Sequence, residues 1–234
     1  IELMSIAGNL LHSCIQKSFY LWSCCLANLL HLQKLQIHTS NGNFEMSEEQ
    51  ELSFQEIEQL SWYDLNAHIG IPYFHHGGMR ATDRLADLCG IGSETRVLVV
   101  GCGTGYTACH LARTRGCRVD GFDIAEIMIA KANTRASIEG VSDIVTFQIA
   151  DAHQMPFDDS QYDVVLTEFV SMFLDRDRAY QEFVRVLRPG GRLGINELYK
   201  EDIISESAKI KIEEAEDLYA ELSGLPFNAP TMSV

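Results

Sequence analysis

The sequence predicts an α/β fold, a three-layer sandwich in which helices cover a mostly parallel sheet. Beyond Ser93, short apolar strands alternate with helical segments. A glycine-rich turn joins the first of these strands to a helix, and an acidic residue follows each of the next two strands. Because parallel strands are connected by right-handed crossovers, their carboxyl ends meet at one edge of the sheet, where α/β folds bind ligands.

The predicted elements follow one another in alternation. Strands are expected at Arg96–Val100, Arg118–Phe122, Ile144–Ile149, Tyr162–Thr167 and Arg192–Asn196, and helices at Tyr106–Arg115, Ala125–Glu139 and Arg176–Leu187. Apolar residues at roughly helical spacing also predict a helix from Glu48 to about His68, and Met79–Leu88 resumes that periodicity. The acidic stretch Ile203–Leu222 is expected to be helical.

The length and charge of the chain narrow its class. At 234 residues, the chain suits one α/β domain with extra helices and is too short for two full-sized domains. A formal net charge of -15 repels phosphate backbones and anionic lipid surfaces, so we expect no nucleic-acid partner. The 7 cysteines include no C-x-x-C pair, which favours neither a disulfide framework nor a zinc site and is typical of a cytoplasmic protein.

The composition divides the chain into parts. Residues 1–45 carry few charges, whereas acidic residues are frequent from Glu48 onward. The apolar stretch Ser18–Leu32 is too short and too interrupted by polar residues for a stable membrane span. We interpret residues 1–45 as an atypical segment, either non-native or upstream sequence or a helical appendage. Residues 46–92 are expected to form an N-terminal helical cap, and residues 93–234 the core.

The strongest motif is VLVVGCGTGY, in which a buried strand runs through Gly101, Gly103 and Gly105 into a helix. Glycines allow a tight turn and let main-chain N–H groups near the helix start face a bound molecule. A tight connection without a ligand is the alternative. A dinucleotide site would need the spacing G-x-G-x-x-G, and this chain has Tyr106 at the last of those positions. A nicotinamide-dependent dehydrogenase is therefore disfavoured.

Acidic residues follow the second and third predicted strands. Asp123 closes the second strand beside the glycine turn, where its carboxylate can accept both hydroxyls of a ribose or can cap the helix that starts near Ala125. Asp151 is placed to accept a hydrogen bond from an adenine amino group while the backbone of Ala152 meets the ring. Met128 either contacts the ring or belongs to the core.

With VLRPGGRLGINE, whose Pro and Gly residues turn a helix into the fifth strand, these motifs form an ordered series. The series resembles the class I S-adenosylmethionine-dependent methyltransferases, in particular the ubiquinone/menaquinone-biosynthesis-type and phosphobase-type small-molecule enzymes, over roughly Gln59 to Gly224. The resemblance implies a Rossmann-like fold, S-adenosylmethionine as cofactor, no metal and a small-molecule methyl acceptor. The cofactor-binding residues that it implies are Tyr73, Gly101, Cys102, Gly103, Gly105, Asp123, Ile124, Met128, Asp151, Ala152 and Glu168.

Two features depart from the family pattern. Val99 stands two places before the first glycine, where the family usually has an acidic residue, so an anchor for the methionyl ammonium is missing at that position. The family also continues after the fifth strand into a sixth and a seventh strand, whereas this chain ends at Val234. We therefore expect a core that is truncated at the C-terminus and lacks its last strands.

Methyl transfer from a sulfonium is an in-line displacement, so the protein mainly positions the nucleophile and excludes water. The candidate catalytic residues on the acceptor side are Tyr63, His76 and Glu168, with Tyr73 and His75 nearby in sequence. His75 and His76 could instead be solvated loop residues, and Glu168 a solvated carboxylate at a strand end. A carboxylate with tyrosine faces would suit an amine or cationic acceptor.

The main alternative is a non-catalytic S-adenosylmethionine-binding module or an inactive fragment. Binding without turnover would favour that alternative. The sequence leaves open the acceptor atom and the oligomeric state.

Overall fold

The computed structural model describes residues 75, 77–197, 200–201, 205–223 and 231–232. Its elements are, in chain order, α1 Gly78–Cys89, β1 Arg96–Val100, α2 Tyr106–Arg115, β2 Arg118–Asp123, α3 Glu126–Ile138, β3 Val145–Ile149, β4 Tyr162–Glu168, a 3-10 turn Ser171–Phe173, α4 Arg176–Val186, β5 Leu187–Asn196, β6 Lys200–Glu201, α5 Glu206–Ser223 and β7 Thr231–Met232. The predicted elements within these residues are confirmed, most of them to within a residue or two.

The five strands β1 to β5 form one sheet in the order β3-β2-β1-β4-β5, and every neighbouring pair is parallel. This arrangement confirms the predicted parallel α/β sheet. Strand β1 lies at its centre, so the turn that follows Val100 emerges between the ends of β2 and β4. Strands β6 and β7 pair with each other in a separate two-stranded parallel sheet.

The central strands β1 and β4 are buried on both faces, as expected for a parallel sheet covered by helices, whereas the edge strands β3 and β5 are more exposed. Val97 and Val99 of β1 belong to a core cluster with residues of α1, α2 and α3. Leu98 and Val100 belong to a second cluster with residues of α4 on the opposite face. Adjacent side chains of a strand point to opposite faces, and the apolar run of β1 therefore fills both layers of the core.

The start of β5 differs from the prediction. The helix α4 ends at Val186, and Leu187 already pairs with Tyr162. The ladder then breaks and resumes where Arg192 pairs with Val164. Proline has no N–H group to donate to a strand ladder, so the Pro189 to Gly191 segment bulges out of the pairing.

Other predictions concern residues that the structure does not describe. The helix expected at Glu48 to His68, and the candidates Tyr63, Tyr73 and His76, lie outside the described residues. The division into an N-terminal segment, a cap and a core stays a prediction. Among the helices that are described, none is long and apolar enough to cross a membrane. Within the same described ranges, no group of three or more His, Cys, Asp or Glu side chains could hold a metal ion.

Candidate functional site

The glycine turn between β1 and α2 is packed against the rest of the α/β core. Gly105 precedes α2 with a φ of 79°, and a Cβ atom at this position would lie 2.8 Å from Cβ of Ala132 and 2.9 Å from the ring of Phe147. The side chain of Arg135 on α3 also donates from Nε to the carbonyl oxygen of Thr104 at 2.9 Å. Glycine is required at position 105 by packing, because no side chain fits between the helix and the sheet.

Gly103 has the opposite surroundings. Its φ is 51°, yet among the described residues no heavy atom outside its immediate chain neighbours lies within 4 Å of where its Cβ would be. The turn therefore leaves a space that protein packing does not fill and that a side chain at position 103 would enter. Such a close approach to bare backbone is what an adenosyl ligand needs. The residues present fit the cofactor that the sequence resemblance implies.

Asp123 ties the glycine turn to the neighbouring strand. Its Oδ2 accepts the Gly103 N–H at 2.9 Å, and its Oδ1 accepts the Ala125 N–H at 3.0 Å. The backbone N–H of Cys102 also donates to the carbonyl oxygen of Phe122 at 2.8 Å. The Asp123 side chain is almost completely buried. The carboxylate thus fixes the turn and the approach to α3 together. Ala125 is the N-cap of α3 and no side chain of the described residues caps that helix, so Asp123 is not its capping residue, and the predicted bond to a ribose stays a prediction.

Asp151 lies after β3 and is held by a histidine. Its Oδ1 accepts the backbone N–H of His153 at 2.9 Å and contacts Nδ1 of the same residue at 2.7 Å. Nε2 of His153 accepts the N–H of Asp175 at 3.0 Å, so the proton of the neutral ring is on Nδ1 and is donated to Asp151. The backbone N–H of His153, then its side chain, lowers the pKa of Asp151. Asp151 is an ionised acceptor, and 53% of its side chain is exposed.

Four other predicted cofactor residues differ in exposure. Ile124 is exposed over 65% of its surface beside Asp123, so it can offer an apolar contact at the sheet edge. Cys102 and Ala152 are buried and can contribute only backbone there. Burial, and then the nearby Asp123 charge, raises the pKa of the Cys102 thiol well above its usual range, so this cysteine stays protonated. Met128 is fully buried, and this core position leaves no side-chain surface for a ring contact.

Glu168 ends β4, and the structure excludes the alternative of a solvated carboxylate because only 6% of its side chain is exposed. The hydroxyl of Thr82 on α1 lies 3.0 Å from both carboxylate oxygens, and the hydroxyl of Thr107 on α2 donates to Oε2 at 3.0 Å. Asn196 Nδ2 donates to Oε1 at 3.3 Å. Three neutral side chains from three different elements therefore surround this carboxylate.

His75 joins the same cluster, so the alternative of a solvated loop residue is wrong for it. The residue is 8% exposed. Its Nδ1 lies 3.3 Å from Nδ2 of Asn196 and 3.6 Å from Oε1 of Glu168, and its Nε2 lies 3.4 Å from the Thr82 hydroxyl. A neutral ring satisfies this geometry, because Asn196 can donate to Nδ1 while Nε2–H donates to Thr82 and Thr82 donates to Glu168.

A second buried carboxylate, Glu197, lies just after β5 on the opposite face. Its Oε1 accepts the backbone N–H groups of Val170 and Ser171 at 2.9 Å each, while its Oε2 is buried without a hydrogen-bond partner among the described residues. These bonds hold the segment after β4, in which Phe169 has a φ of 62°. Burial raises the pKa of Glu197. Its role is to fix the loop next to Glu168.

Sequence reasoning missed Thr82, Thr107, His153, Asn196 and Glu197. Thr82 is 86 positions from Glu168, and no local pattern signals a contact of that kind. From the sequence, Asn196 and Glu197 could be placed only at the end of the predicted fifth strand. His153 had a local signal, since an Asp whose side chain bonds the backbone two residues on is a common turn.

A family model described as a methyltransferase domain matches residues 98–195. The chain is 35% identical over 137 residues to the methyltransferase GfsG of Streptomyces halstedii, which covers 58% of this chain and 49% of that protein. It is 39% identical over 119 residues to the 27-O-demethylrifamycin SV methyltransferase of Amycolatopsis mediterranei, which covers 50% of this chain and 44% of that protein. The chain spans about half the length of these curated relatives.

Solved structures share the fold. A putative sarcosine dimethylglycine methyltransferase from Galdieria sulphuraria superposes with a TM-score of 0.55 at 25% identity, over 62% of this chain and 58% of that one. The cyclase SpnF superposes with a TM-score of 0.51 at 30% identity, over 62% and 49%. The geranyl diphosphate C-methyltransferase of Streptomyces coelicolor, in complex with S-adenosyl-L-homocysteine, gives 0.55 at 20% identity over 65% and 56%, which shows the fold alone.

The matched range contains the glycine turn, Asp123, Asp151 and Glu168, and these residues lie at one edge of the parallel sheet. Agreement between the family model, the relatives and this geometry leads to one assignment. Residues 98–195 match a methyltransferase-domain family and resemble the class I S-adenosylmethionine-dependent methyltransferases.

Proposed function

We propose that the protein is an S-adenosylmethionine-dependent methyltransferase that transfers a methyl group to a small-molecule acceptor by in-line displacement. The observation that carries the proposal is the open space above Gly103, next to a carboxylate that is bonded to the Gly103 N–H. A bare backbone turn with an adjacent carboxylate suits a nucleoside with free ribose hydroxyls. Residues 98–195 match a methyltransferase-domain family, and solved structures with the same fold are complexes with S-adenosylmethionine or S-adenosyl-L-homocysteine.

In this mechanism, the chain's own residues position the cofactor and the acceptor and exclude water. Asp123 would accept hydrogen bonds from the ribose hydroxyls. Asp151 would accept a hydrogen bond from the adenine amino group, while Ile124 covers the adenine ring. When bound, the cofactor supplies a methyl group on a cationic sulfur, which keeps the electron pair of the broken bond and leaves as a neutral thioether. His75 and Glu168 would lie on the acceptor side, where a base is needed only for an acceptor that loses a proton.

Two observations support a small acceptor. The net charge of -15 opposes binding of nucleic acid. The relatives include a 27-O-demethylrifamycin SV methyltransferase and a glycine/sarcosine/dimethylglycine N-methyltransferase of Actinopolyspora halophila, and both names refer to small molecules.

The described cysteines are free and buried, which supports the reducing cytoplasm as the compartment. The candidates Tyr63, Tyr73 and His76 remain proposed acceptor-side or cofactor residues.

A non-catalytic binding module is the second candidate. The fold neighbour SpnF is named as a cyclase, so this fold also occurs in a protein whose name states another reaction. Incubation with methyl-labelled S-adenosylmethionine and a fractionated metabolite pool separates the two candidates. Label in a small product, with stoichiometric S-adenosylhomocysteine, supports the methyltransferase. Cofactor binding by calorimetry without any labelled product supports the module, and the absence of binding contradicts both.

A further inference from the structure

His153 joins two parts of the molecule that belong to different elements. Its Nδ1 lies 2.7 Å from Oδ1 of Asp151, which follows β3. Its Nε2 accepts the backbone N–H of Asp175, the N-cap residue of α4, at 3.0 Å. Only 19% of the His153 side chain is exposed, against 53% for Asp151. A mostly buried ring therefore lies between an accessible carboxylate and the beginning of a helix.

The contacts of this ring define its tautomer and its orientation. A backbone N–H group can only donate, so the ring nitrogen that it reaches must carry a lone pair. That nitrogen is Nε2 of His153, so the proton of the ring is on Nδ1 and is donated to Asp151. A ring that is rotated by half a turn would place carbon atoms at both contacts. The two hydrogen bonds together therefore select one orientation of the imidazole.

The loop that carries His153 holds Asp151 only in part. Oδ1 of Asp151 accepts the backbone N–H of His153 at 2.9 Å, and the Asp151 carbonyl oxygen accepts the backbone N–H of Gln154 at 3.1 Å. These two bonds lie within a four-residue turn. The imidazole adds a donor to the same Oδ1, and the N–H of Asp175 fixes that imidazole from its other side. The carboxylate is therefore held by the start of α4 as well as by its own loop.

Two further observations place the start of α4 beside this loop. The pKa of Asp151 is lowered first by the backbone N–H of His153, then by the His153 side chain, and also by the positive charge of Arg178 near the start of α4. Ala152, from the same loop, packs in one core cluster with Phe183 of α4. The loop after β3 and the beginning of α4 thus form one packed unit.

On the basis of the proposed function, we propose that His153 is a positioning residue for recognition of the adenine ring, and that it orients the carboxylate of Asp151 relative to the start of α4. A hydrogen bond from the 6-amino group of adenine depends on the direction of its acceptor. A half-exposed carboxylate that is already oriented loses less side-chain freedom when the ligand binds. His153 contributes to purine selectivity in this way without contacting the ligand.

The first experiment removes the donor at Nδ1. The readout is the ratio of the dissociation constants of S-adenosylhomocysteine and of its analogue with unsubstituted purine, which lacks only the 6-amino group. In His153→Gln, the side-chain amide can still accept the N–H of Asp175 near the position of Nε2, but it has no donor at the position of Nδ1. We expect weaker binding of S-adenosylhomocysteine by about three- to tenfold, the effect of one side chain that must be ordered on binding. Binding of the analogue should change less than about twofold.

The second experiment removes the N–H that holds the far side of the ring. Asp175 has a φ of -67°, which proline adopts, and Leu174 has the extended conformation that a residue before proline requires, with φ -110° and ψ 151°. Asp175→Pro removes both this N–H and the carboxylate that caps α4. Asp175→Ala removes only the carboxylate and is the matched control. We expect the preference for the amino-bearing ligand to be about threefold smaller in Asp175→Pro than in Asp175→Ala.

The outcomes separate this inference from the proposed function. An unchanged ratio in folded His153→Gln, or an equal loss of both ligands, overturns the role of His153. Equal ratios in the two Asp175 variants also overturn it, because the ring would then orient Asp151 without α4. If His153→Gln does not fold, the pair of Asp175 variants carries the same comparison.

The unaltered chain supplies the remaining control. If it binds S-adenosylhomocysteine and the unsubstituted purine analogue equally well, Asp151 does not recognise the amino group, and the inference fails while cofactor binding stands. If it binds neither ligand, the proposed cofactor itself is wrong.

Discussion

The Gly103 N–H donates a hydrogen bond to Oδ2 of Asp123, while Oδ1 of the same side chain accepts the Ala125 N–H. One carboxylate therefore fixes the turn after β1 relative to the start of α3. In Asp123→Asn, the amide NH₂ group would face one of these two N–H donors. We expect a loss of about 1–3 kcal/mol in the free energy of unfolding.

The same variant should bind S-adenosylhomocysteine at least about tenfold more weakly, because the ribose loses a charged acceptor. Denaturant titration and calorimetry measure the two effects. An Asn variant with normal stability and normal affinity would show that the carboxylate does not organise the site.

Gly103→Ala tests the open space above the turn, and Gly140→Ala is its matched control. Both glycines have a positive φ, 51° and 68°, and in the part of the chain that the structure describes neither has a neighbour within 4 Å of its Cβ position. Each substitution should cost about 1–2 kcal/mol of stability from the left-handed backbone alone. Only Gly103→Ala should also weaken S-adenosylhomocysteine, by about tenfold or more, because its methyl group enters the ligand space. Equal affinities in the two variants would contradict a ligand at Gly103.

Asp151 should discriminate between purine rings. Its ionised carboxylate is held by His153 through Oδ1, and 53% of its side chain is exposed, so it can accept a hydrogen bond from the adenine amino group. Asp151→Ala should weaken S-adenosylhomocysteine about tenfold. It should leave the affinity for S-inosylhomocysteine, which has no amino group, nearly unchanged. Competition binding of the two nucleosides to the variant measures this preference, and parallel losses for both would remove Asp151 from adenine recognition.

Glu197 should make stability depend on pH in a specific direction. Burial raises its folded-state pKa above the unfolded value. The folded protein then binds this proton more tightly, so stability falls as pH rises from the unfolded pKa to the folded pKa, and the full cost remains above that window. Glu197→Gln removes this cost.

We therefore expect the Gln variant to gain thermal stability relative to the unaltered chain at pH 7 and to gain less at pH 4. Melting temperatures of both proteins across this range measure the difference. A gain that is independent of pH would show that ionisation of Glu197 is not the cause.

The sequence predicted much of the fold because its signals are local. The apolar run Val97–Val100 and the glycines that follow it specify a buried strand and a tight turn wherever they occur. The end of α4 was harder to predict. The Pro-Gly-Gly segment indicated where the helix stops, but it did not indicate that Leu187 already pairs with Tyr162 in the sheet. Met128 shows the same limit, because helical position does not reveal which face of α3 is completely covered.

The sequence by itself determined the parallel α/β class, the glycine turn and the acidic residues at the ends of successive strands. Each of these depends on residues that are close together in the chain, where period, turn chemistry and spacing act directly. Only the tertiary structure decided that Glu168 is buried, that Thr82, Thr107 and Asn196 surround it, and that His75 joins them. These contacts join α1, α2, β4 and β5. The packing of helices on a sheet brings together residues that are far apart in the chain, and no local sequence pattern predicts such contacts.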